Sequence, residues 1–319
     1  MTFLAEKCLI TIMKILITGG SGFIGSHLIE ELKNHGHAVA SLDIKDPRER
    51  MEDVEYIKND FCKFDELLNH LNNFKPEAIA HLGAVPSVKK SIDVPMDTMR
   101  NNVEGTYNVL EAGRQGGVKR MVLISSGATY GKTAFSYSGK PLPENVALAP
   151  LNPYGLSKMM LEDMGRVWAS KEIWQGTDTI SLRFSNVFGP RQPRDAAYAS
   201  CVERFMHQWR TKEPFTVVPD GHQRRDLVFV KDVVRAIRLA CESQQNFNGE
   251  AVNIGSGKNY SILEIADLIG GKEHPRIFME KRVGEIRETL FDISKAQKLL
   301  NWQPEVSFEE GIASLKQES

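Results

Sequence analysis

Four cysteines in 319 residues, Cys8, Cys62, Cys201 and Cys241, make no CxxC pair and join no Cys/His cluster. This leaves neither a disulfide framework nor a zinc site, and free thiols in a cytoplasmic setting are the expectation. The eight histidines contain no HxxxH pair, so no metal site is expected. No apolar run approaches the ~20 residues a membrane helix needs. Charge of one sign is also missing: 41 acidic and 40 basic residues nearly cancel, which argues against a nucleic-acid or anionic-membrane partner. Internal repeats and low-complexity tracts do not occur. Residues 1–12, MTFLAEKCLITI, lack the small-residue cleavage site of a signal peptide and run directly into a core strand. They are expected to be a flexible extension ahead of Met13.

What is present is an alternation of short Ile/Val-rich runs with helical patterns. KILIT (14–18) is a continuous apolar run, as suits a strand buried on both faces. FIGSHLIEELKNHG reads as a helix ending at Gly36. HAVASLD, VEYIKND, EAIAHL, KRMVLIS and DTISLRF are further strands. FDELLNHLNNF, a long stretch from Met96 to Gly113 and a segment from Tyr154 are helices. Strand–helix alternation at this spacing predicts right-handed βαβ units in a doubly wound parallel sheet, with ligands at the carboxyl ends of the strands.

After Asn186 the texture shifts to loops rich in Pro, Gly and Arg. The expected architecture is α/β: a nucleotide-binding domain over 13–185 plus about 226–255, and a smaller mixed α/β substrate domain over about 186–225 plus 256–319. The 226–255 segment is assigned to the first sheet because LVFV and AVNI both look like buried strands.

Gly19, Gly22 and Gly25 form GxxGxxG between the first strand and the first helix. Glycines there permit a tight turn, close approach of a pyrophosphate and close helix–strand packing, with the helix N-terminus facing the phosphates. The second strand ends in Asp43, where a carboxylate accepts from adenosine ribose hydroxyls and repels a 2′-phosphate. This favours NAD over NADP. The alternative is a solvated loop acid beside Lys45 and Asp46. Asn59-Asp60, after the third strand, is placed to meet an adenine edge or to cap the next helix.

Tyr154 and Lys158 form YxxxK. On a helix, i and i+4 share a face, so phenol and ammonium can meet in one site, where the lysine charge would lower the phenol pKa. A surface Tyr–Lys pair is the alternative. Ser125-Ser126 closes a strand, and a hydroxyl there can point into the ligand crevice or merely bond backbone.

The ordered set TGGSGFIG, Asp43, HLGA, ISSGATYG, NPYGLSK, LRFSNVFGPRQ, RRDLVFVKD and VNIGSG resembles the extended short-chain dehydrogenase/reductase superfamily. Its look is that of the NAD-dependent nucleotide-sugar epimerase/dehydratase branch, and within it the UDP-sugar 4-epimerases. The resemblance runs from Met13 to about Trp302. It implies a Ser126–Tyr154–Lys158 triad and a tightly held NAD. The implied cofactor contacts are Gly19, Gly22, Phe23, Ile24, Gly25, Asp43, Asp60, Phe61, Leu82, Gly83, Ala84, Asn102, Ser125, Tyr154, Lys158 and Phe184. For a nucleotide-diphosphate sugar it implies Val85, Ser87, Ser126, Asn186, Arg225, Arg282, Glu285 and Thr289, the arginines being suited to diphosphate. Structural pairing of Arg225 with Asp226 is the alternative. Glu285 stands where relatives usually carry Asp. A homodimer through helices near Met96 and Tyr154 is also implied.

Dehydratases and decarboxylating members of the family carry acids between the active hydroxyl and the YG pair. Here those positions are Gly127, Ala128 and Thr129, which leaves no general acid for dehydration. The expected reaction is 4-epimerisation through a 4-keto sugar. The small Thr289, with Pro86-Ser87, leans toward acceptance of N-acetylated sugars. Competing readings are an NAD-linked nucleotide-sugar reductase or dehydrogenase, a 4,6-dehydratase, and a non-catalytic NAD sensor.

Overall fold

The computed structural model describes residues 12–174, 176–193, 200–280 and 287–317. Seven parallel strands form the main sheet: β1 (Lys14–Thr18), β2 (Ala38–Asp43), β3 (Val54–Lys58), β4 (Ala78–His81), β5 (Arg120–Ser126), β6 (Asp178–Phe184) and β10 (Glu250–Ile254). Their spatial order is β10-β6-β5-β4-β1-β2-β3. The chain leaves β1 toward β2 on one side and returns to β4 on the other, so β1/β4 is the switch point where a doubly wound Rossmann-type sheet opens a crevice. Register brings Thr18, Asp43, His81, Ser126 and Phe184 to one edge of the sheet.

Period-two alternation splits the core into two layers. Ile15 and Ile17 face α1 (Phe23–Asn34) and α8 (Val230–Glu242). Leu16 faces the other layer, with α2 (Phe64–Phe74), α5 (Gly105–Gln115) and α6 (Pro153–Trp168). All three strand side chains are fully buried, which is why the run reads as unbroken apolar sequence. A third cluster joins Phe188, Phe205, Phe215, Leu227, Phe229, Ile265 and Phe308 beneath the C-terminal part.

Two expectations are corrected. LVFV lies in β9 (Arg224–Phe229), which does not rejoin the main sheet. It pairs with β7 (Asn186–Phe188) and β11 (Asn259–Ser261) in a separate three-stranded sheet, while AVNI does return as β10. A strand buried on both faces has the same sequence texture in either sheet. The helix expected over Met96 to Gly113 is α4 (Pro95–Met99), a π-helical turn (Arg100–Glu104) and α5 in series, preceded by α3 (Val88–Asp93). The π turn adds about one residue to a helical turn, and no Pro or Gly within RNNVE marks it in the sequence. No helix among the described residues is long and apolar enough to cross a membrane.

Candidate active site

The glycine loop is shaped by backbone crowding. Gly19 has φ +76°, and a Cβ there would lie 2.7 Å from the Gly83 nitrogen. A Cβ on Gly25 would lie 2.3 Å from the Gly19 carbonyl oxygen and 2.6 Å from the Gly20 Cα. Helix α1 begins at Gly22 with no side-chain cap and no acid in its first turn. By contrast, α6 and α9 (Ile262–Gly270) are capped by Asn152 and Ser261. An uncapped N-terminus beside a side-chain-free cradle suits a pyrophosphate. Phe23 and Ile24 are half-buried on the first turn. Asp43 takes backbone N–H groups from Ser21 (3.0 Å) and Lys45 (2.9 Å). Each carboxylate oxygen keeps a lone pair for a ribose hydroxyl. These features fit a bound dinucleotide.

Below the loop, buried polar groups are paired in a chain. The Gly83 N–H donates to the Thr18 hydroxyl (3.3 Å), which bonds His81 Nδ1 (2.7 Å). His81 Nε2 meets the Thr106 hydroxyl (3.1 Å), which donates to the Asn102 carbonyl (2.5 Å). Only one tautomer, protonated at Nε2, satisfies all four bonds. Burial, aided by the Lys158 charge, pushes His81 down to about 3, so it is neutral. The Asn102 side chain receives the Val85 N–H (2.7 Å) and donates to Ser157 (3.1 Å), tying the β4 loop to α6. Leu82, Gly83 and Ala84 are presented at the mouth of this loop.

The Phe61 ring is buried, edge-on to His81, at the positions that Cβ atoms on Gly83 and Gly105 would occupy. It supports the loop from beneath, so only its backbone is left to meet a ligand. Asp60 accepts from the Cys62 N–H (2.9 Å) within a local turn and does not cap α2, whose N-cap position is Lys63. Phe184 is buried at the end of β6.

Helix α6 starts where Asn152 caps the Gly155 N–H (2.9 Å) and Pro153 sits in the first turn. It brings half-buried Tyr154 to part-exposed Ser126, whose hydroxyl is hydrogen-bonded to the phenol. Lys158 is buried and donates to the Ile124 carbonyl (2.7 Å). Burial pushes its ammonium down to about 8. The Tyr154 phenol moves the opposite way from the sequence expectation: burial raises it, opposed by the Ser126 bond. The lysine charge is turned toward the end of β5, so desolvation dominates at the phenol. Ser126, Tyr154 and Lys158 are therefore gathered about the end of β5, and burial keeps the phenol protonated at neutral pH in the protein by itself. The Ser125 side chain turns away from this site and donates to buried Glu162 (2.5 Å).

Gly127 lies directly after Ser126, and a Cβ there would be 2.7 Å from the Phe291 ring. The ring occupies the space an acidic side chain would need.

Ser87 is buried and caps α3 by accepting the Lys90 N–H (3.1 Å). Val85 is half-buried, and Asn186 is exposed at the start of β7. Arg225 is half-buried on β9. The Asp226 carboxylate, its alternative partner, is taken by Ser185 (3.1 Å), Ser256 (2.7 and 3.0 Å) and the Phe291 N–H (3.0 Å). The Thr289 hydroxyl accepts the Asp226 N–H (3.3 Å) and its own N–H reaches the Arg224 carbonyl (3.1 Å). Arg282 and Glu285 lie outside the described residues. No group of three His, Cys, Asp or Glu that could hold a metal occurs among the described residues.

Sequence reasoning missed Glu162 and the role of His81. The i, i+4, i+8 spacing of Tyr154, Lys158 and Glu162 was the available signal for Glu162.

Comparison with known proteins gives the family. Residues 15–255 match the NAD dependent epimerase/dehydratase family, and the chain belongs to it. The UDP-glucose 4-epimerase of Mycolicibacterium smegmatis is 34% identical over 315 residues, covering 94% of this chain and 96% of that protein. The solved UDP-glucose 4-epimerase of Thermotoga maritima, with UDP-glucose, aligns with TM-score 0.87 and 30% identity over 96% of this chain and 98% of that one. The UDP-N-acetylglucosamine 4-epimerase of Methanobrevibacter ruminantium M1, in complex with UDP-N-acetylmuramic acid, aligns with TM-score 0.86 and 27% identity over 97% and 100%.

Proposed function

We propose that this protein is a UDP-sugar 4-epimerase working through a transient 4-keto sugar. The observation that carries the reading is the Ser126–Tyr154–Lys158 group at the crevice edge, beside Gly127, where the Phe291 ring fills the space of an acidic side chain. Bound NAD supplies the hydride acceptor and donor and, when oxidised, a positive charge near the phenol. Tyr154 takes the proton from the sugar hydroxyl and returns it after the ketone has turned over. The Ser126 hydroxyl holds the reacting oxygen through both half-reactions. Lys158, oriented by the Ile124 carbonyl, would lend its charge to the phenolate once formed and would hold the nicotinamide ribose when NAD is bound.

The cofactor would lie along Gly19–Gly25, Asp43, Asp60, the Leu82–Ala84 backbone and Phe184. The nucleotide sugar would meet Val85, Ser87, Asn186, Arg225, Arg282, Glu285 and Thr289. The short Thr289 side chain favours a pocket that admits N-acetylated sugars as well as hexoses. Exposed Ile92, Met96, Tyr107 and Leu156, on α3 to α6, support a homodimer through these helices.

The test is to incubate the purified protein with UDP-glucose, UDP-N-acetylglucosamine and UDP-glucuronate without added cofactor, reading products by NMR. Epimer pairs without net cofactor consumption are expected, and Tyr154→Phe should abolish them. In a parallel incubation with added NADH, stoichiometric NADH consumption would make it a reductase. Turnover of UDP-glucose but not UDP-N-acetylglucosamine would refute the pocket assignment.

A further inference from the structure

Glu162 is nearly inaccessible, yet it lies one turn beyond Lys158 on the same face of α6. Its carboxylate is gripped by Arg183 of β6 through Nε (2.8 Å) and Nη2 (2.6 Å), and by the Ser125 hydroxyl of β5 (2.5 Å). Arg183 in turn stacks over the Tyr130 ring at 4.8 Å. The Tyr130 hydroxyl donates to Asn253 of β10 (2.7 Å). A desolvated ion pair is a poor device for stability, because apolar residues of the same volume commonly do as well or better. Its position offers a different reason. Ser125 sits between Ile124, whose carbonyl receives the Lys158 ammonium, and Ser126, which bonds Tyr154.

We propose that Glu162 is a positioning residue of this site: it clamps the end of β5 to α6, and its negative charge keeps the buried Lys158 protonated. The inference rests on the epimerase reading for its kinetic consequence only. The titratable groups coupled to Lys158 are Glu162, one turn along α6, and His81 from β4. His81 is neutral, so Glu162 supplies the negative charge. Burial drives the ammonium toward deprotonation and the Glu162 charge opposes it.

The test combines a direct titration with a rate profile. Lysine Cε shifts in 13C-lysine-labelled holoenzyme, assigned with Lys158→Met, report the Lys158 midpoint in wild type, Glu162→Gln and Glu162→Asp. Glu162→Gln should lower the midpoint by about one pH unit. The basic limb of kcat should move with it, giving about a fivefold loss at pH 8 with little change in KM. Glu162→Asp, which keeps the charge, should hold the midpoint near wild type while lowering kcat. If Glu162→Gln does not fold, the double variant Glu162→Leu/Arg183→Leu removes the pair at similar volume and should also lower the midpoint. A folded Glu162→Gln or double variant with an unmoved Lys158 midpoint overturns the proposal, leaving Glu162 purely structural. Absence of turnover with every UDP-sugar would sink the epimerase reading, and the NMR titration would still decide the role of Glu162.

Discussion

Replacing Gly127 by Ala tests whether the missing acid beside Ser126 is a matter of packing. A Cβ at 127 would sit 2.7 Å from Phe291 Cζ and 3.2 Å from Cε1. Ordinary carbon contacts are about 3.5–4.0 Å, so the overlap approaches ~1 Å. The ring cannot simply swing aside. It is buried, packs edge-on to Tyr130 at 5.8 Å, and joins a cluster with Ala134 and Leu142. Its backbone N–H is also held by Asp226 (3.0 Å). Overpacking of this kind costs about 1–3 kcal/mol. Phe291→Ala alone should cost about 3–5 kcal/mol by leaving a cavity. In the double variant the new methyl enters that cavity, so the combined loss should fall short of the sum by about 1–3 kcal/mol. Urea unfolding of all four proteins at pH 7.5 measures the cycle. Additivity within about 0.5 kcal/mol would show that the ring does not exclude a side chain at 127, and the packing explanation would fail.

Gly25→Ala should cut NAD affinity at least about 100-fold by calorimetry, because its Cβ meets the Gly19 and Gly20 backbone, which cannot rotate away. Wild-type affinity would refute the cradle. Lys158→Met should abolish turnover and yet stabilise the NAD-free protein by up to about 3 kcal/mol at pH 7. The ammonium is held at about 8 against 10.5, so folding disfavours its proton at every pH below 8, and this cost fades between pH 8 and 10.5. A lower melting temperature for that variant would contradict the assignment. His81, held at about 3 against 6.5, makes the folded state bind fewer protons than the unfolded chain below pH 6.5. Stability should therefore fall on acidification by up to about 1.4 kcal/mol per pH unit between 6.5 and 3. His81→Gln should flatten that slope in denaturant titrations, and an unchanged slope would refute a neutral buried His81.

Much of the cofactor half was legible because its constraints are local. A strand, a glycine turn and a helix follow one another in sequence, and a carboxylate ends the next strand, so the motif is read without knowing the sheet order. The i, i+4 relation of Tyr154 and Lys158 is likewise a property of one helix. The substrate half was less legible. LVFV is a buried strand in either sheet, and only partner choice, made by residues distant in sequence, placed it beside β7 and β11. The direction of the Tyr154 shift was misjudged for a related reason. Spacing brings a lysine near a phenol, but the Ile124 carbonyl that receives that lysine comes from another strand.

The α/β alternation, the glycine cradle, Asp43 at its strand end and the shared face of Tyr154 and Lys158 could all be read along the chain, because each depends on contacts within about one βαβ unit. Which buried groups control them emerges from packing between distant elements. His81 is neutral because Thr18 and Thr106, from different elements, enclose it. Gly127 faces a ring 164 positions further along the chain, as the difference between 291 and 127 gives. Ser125 and Arg183 close on Glu162 only when β5, β6 and α6 pack together. Desolvation and steric exclusion are properties of the assembled interior, and no local window of sequence contains them.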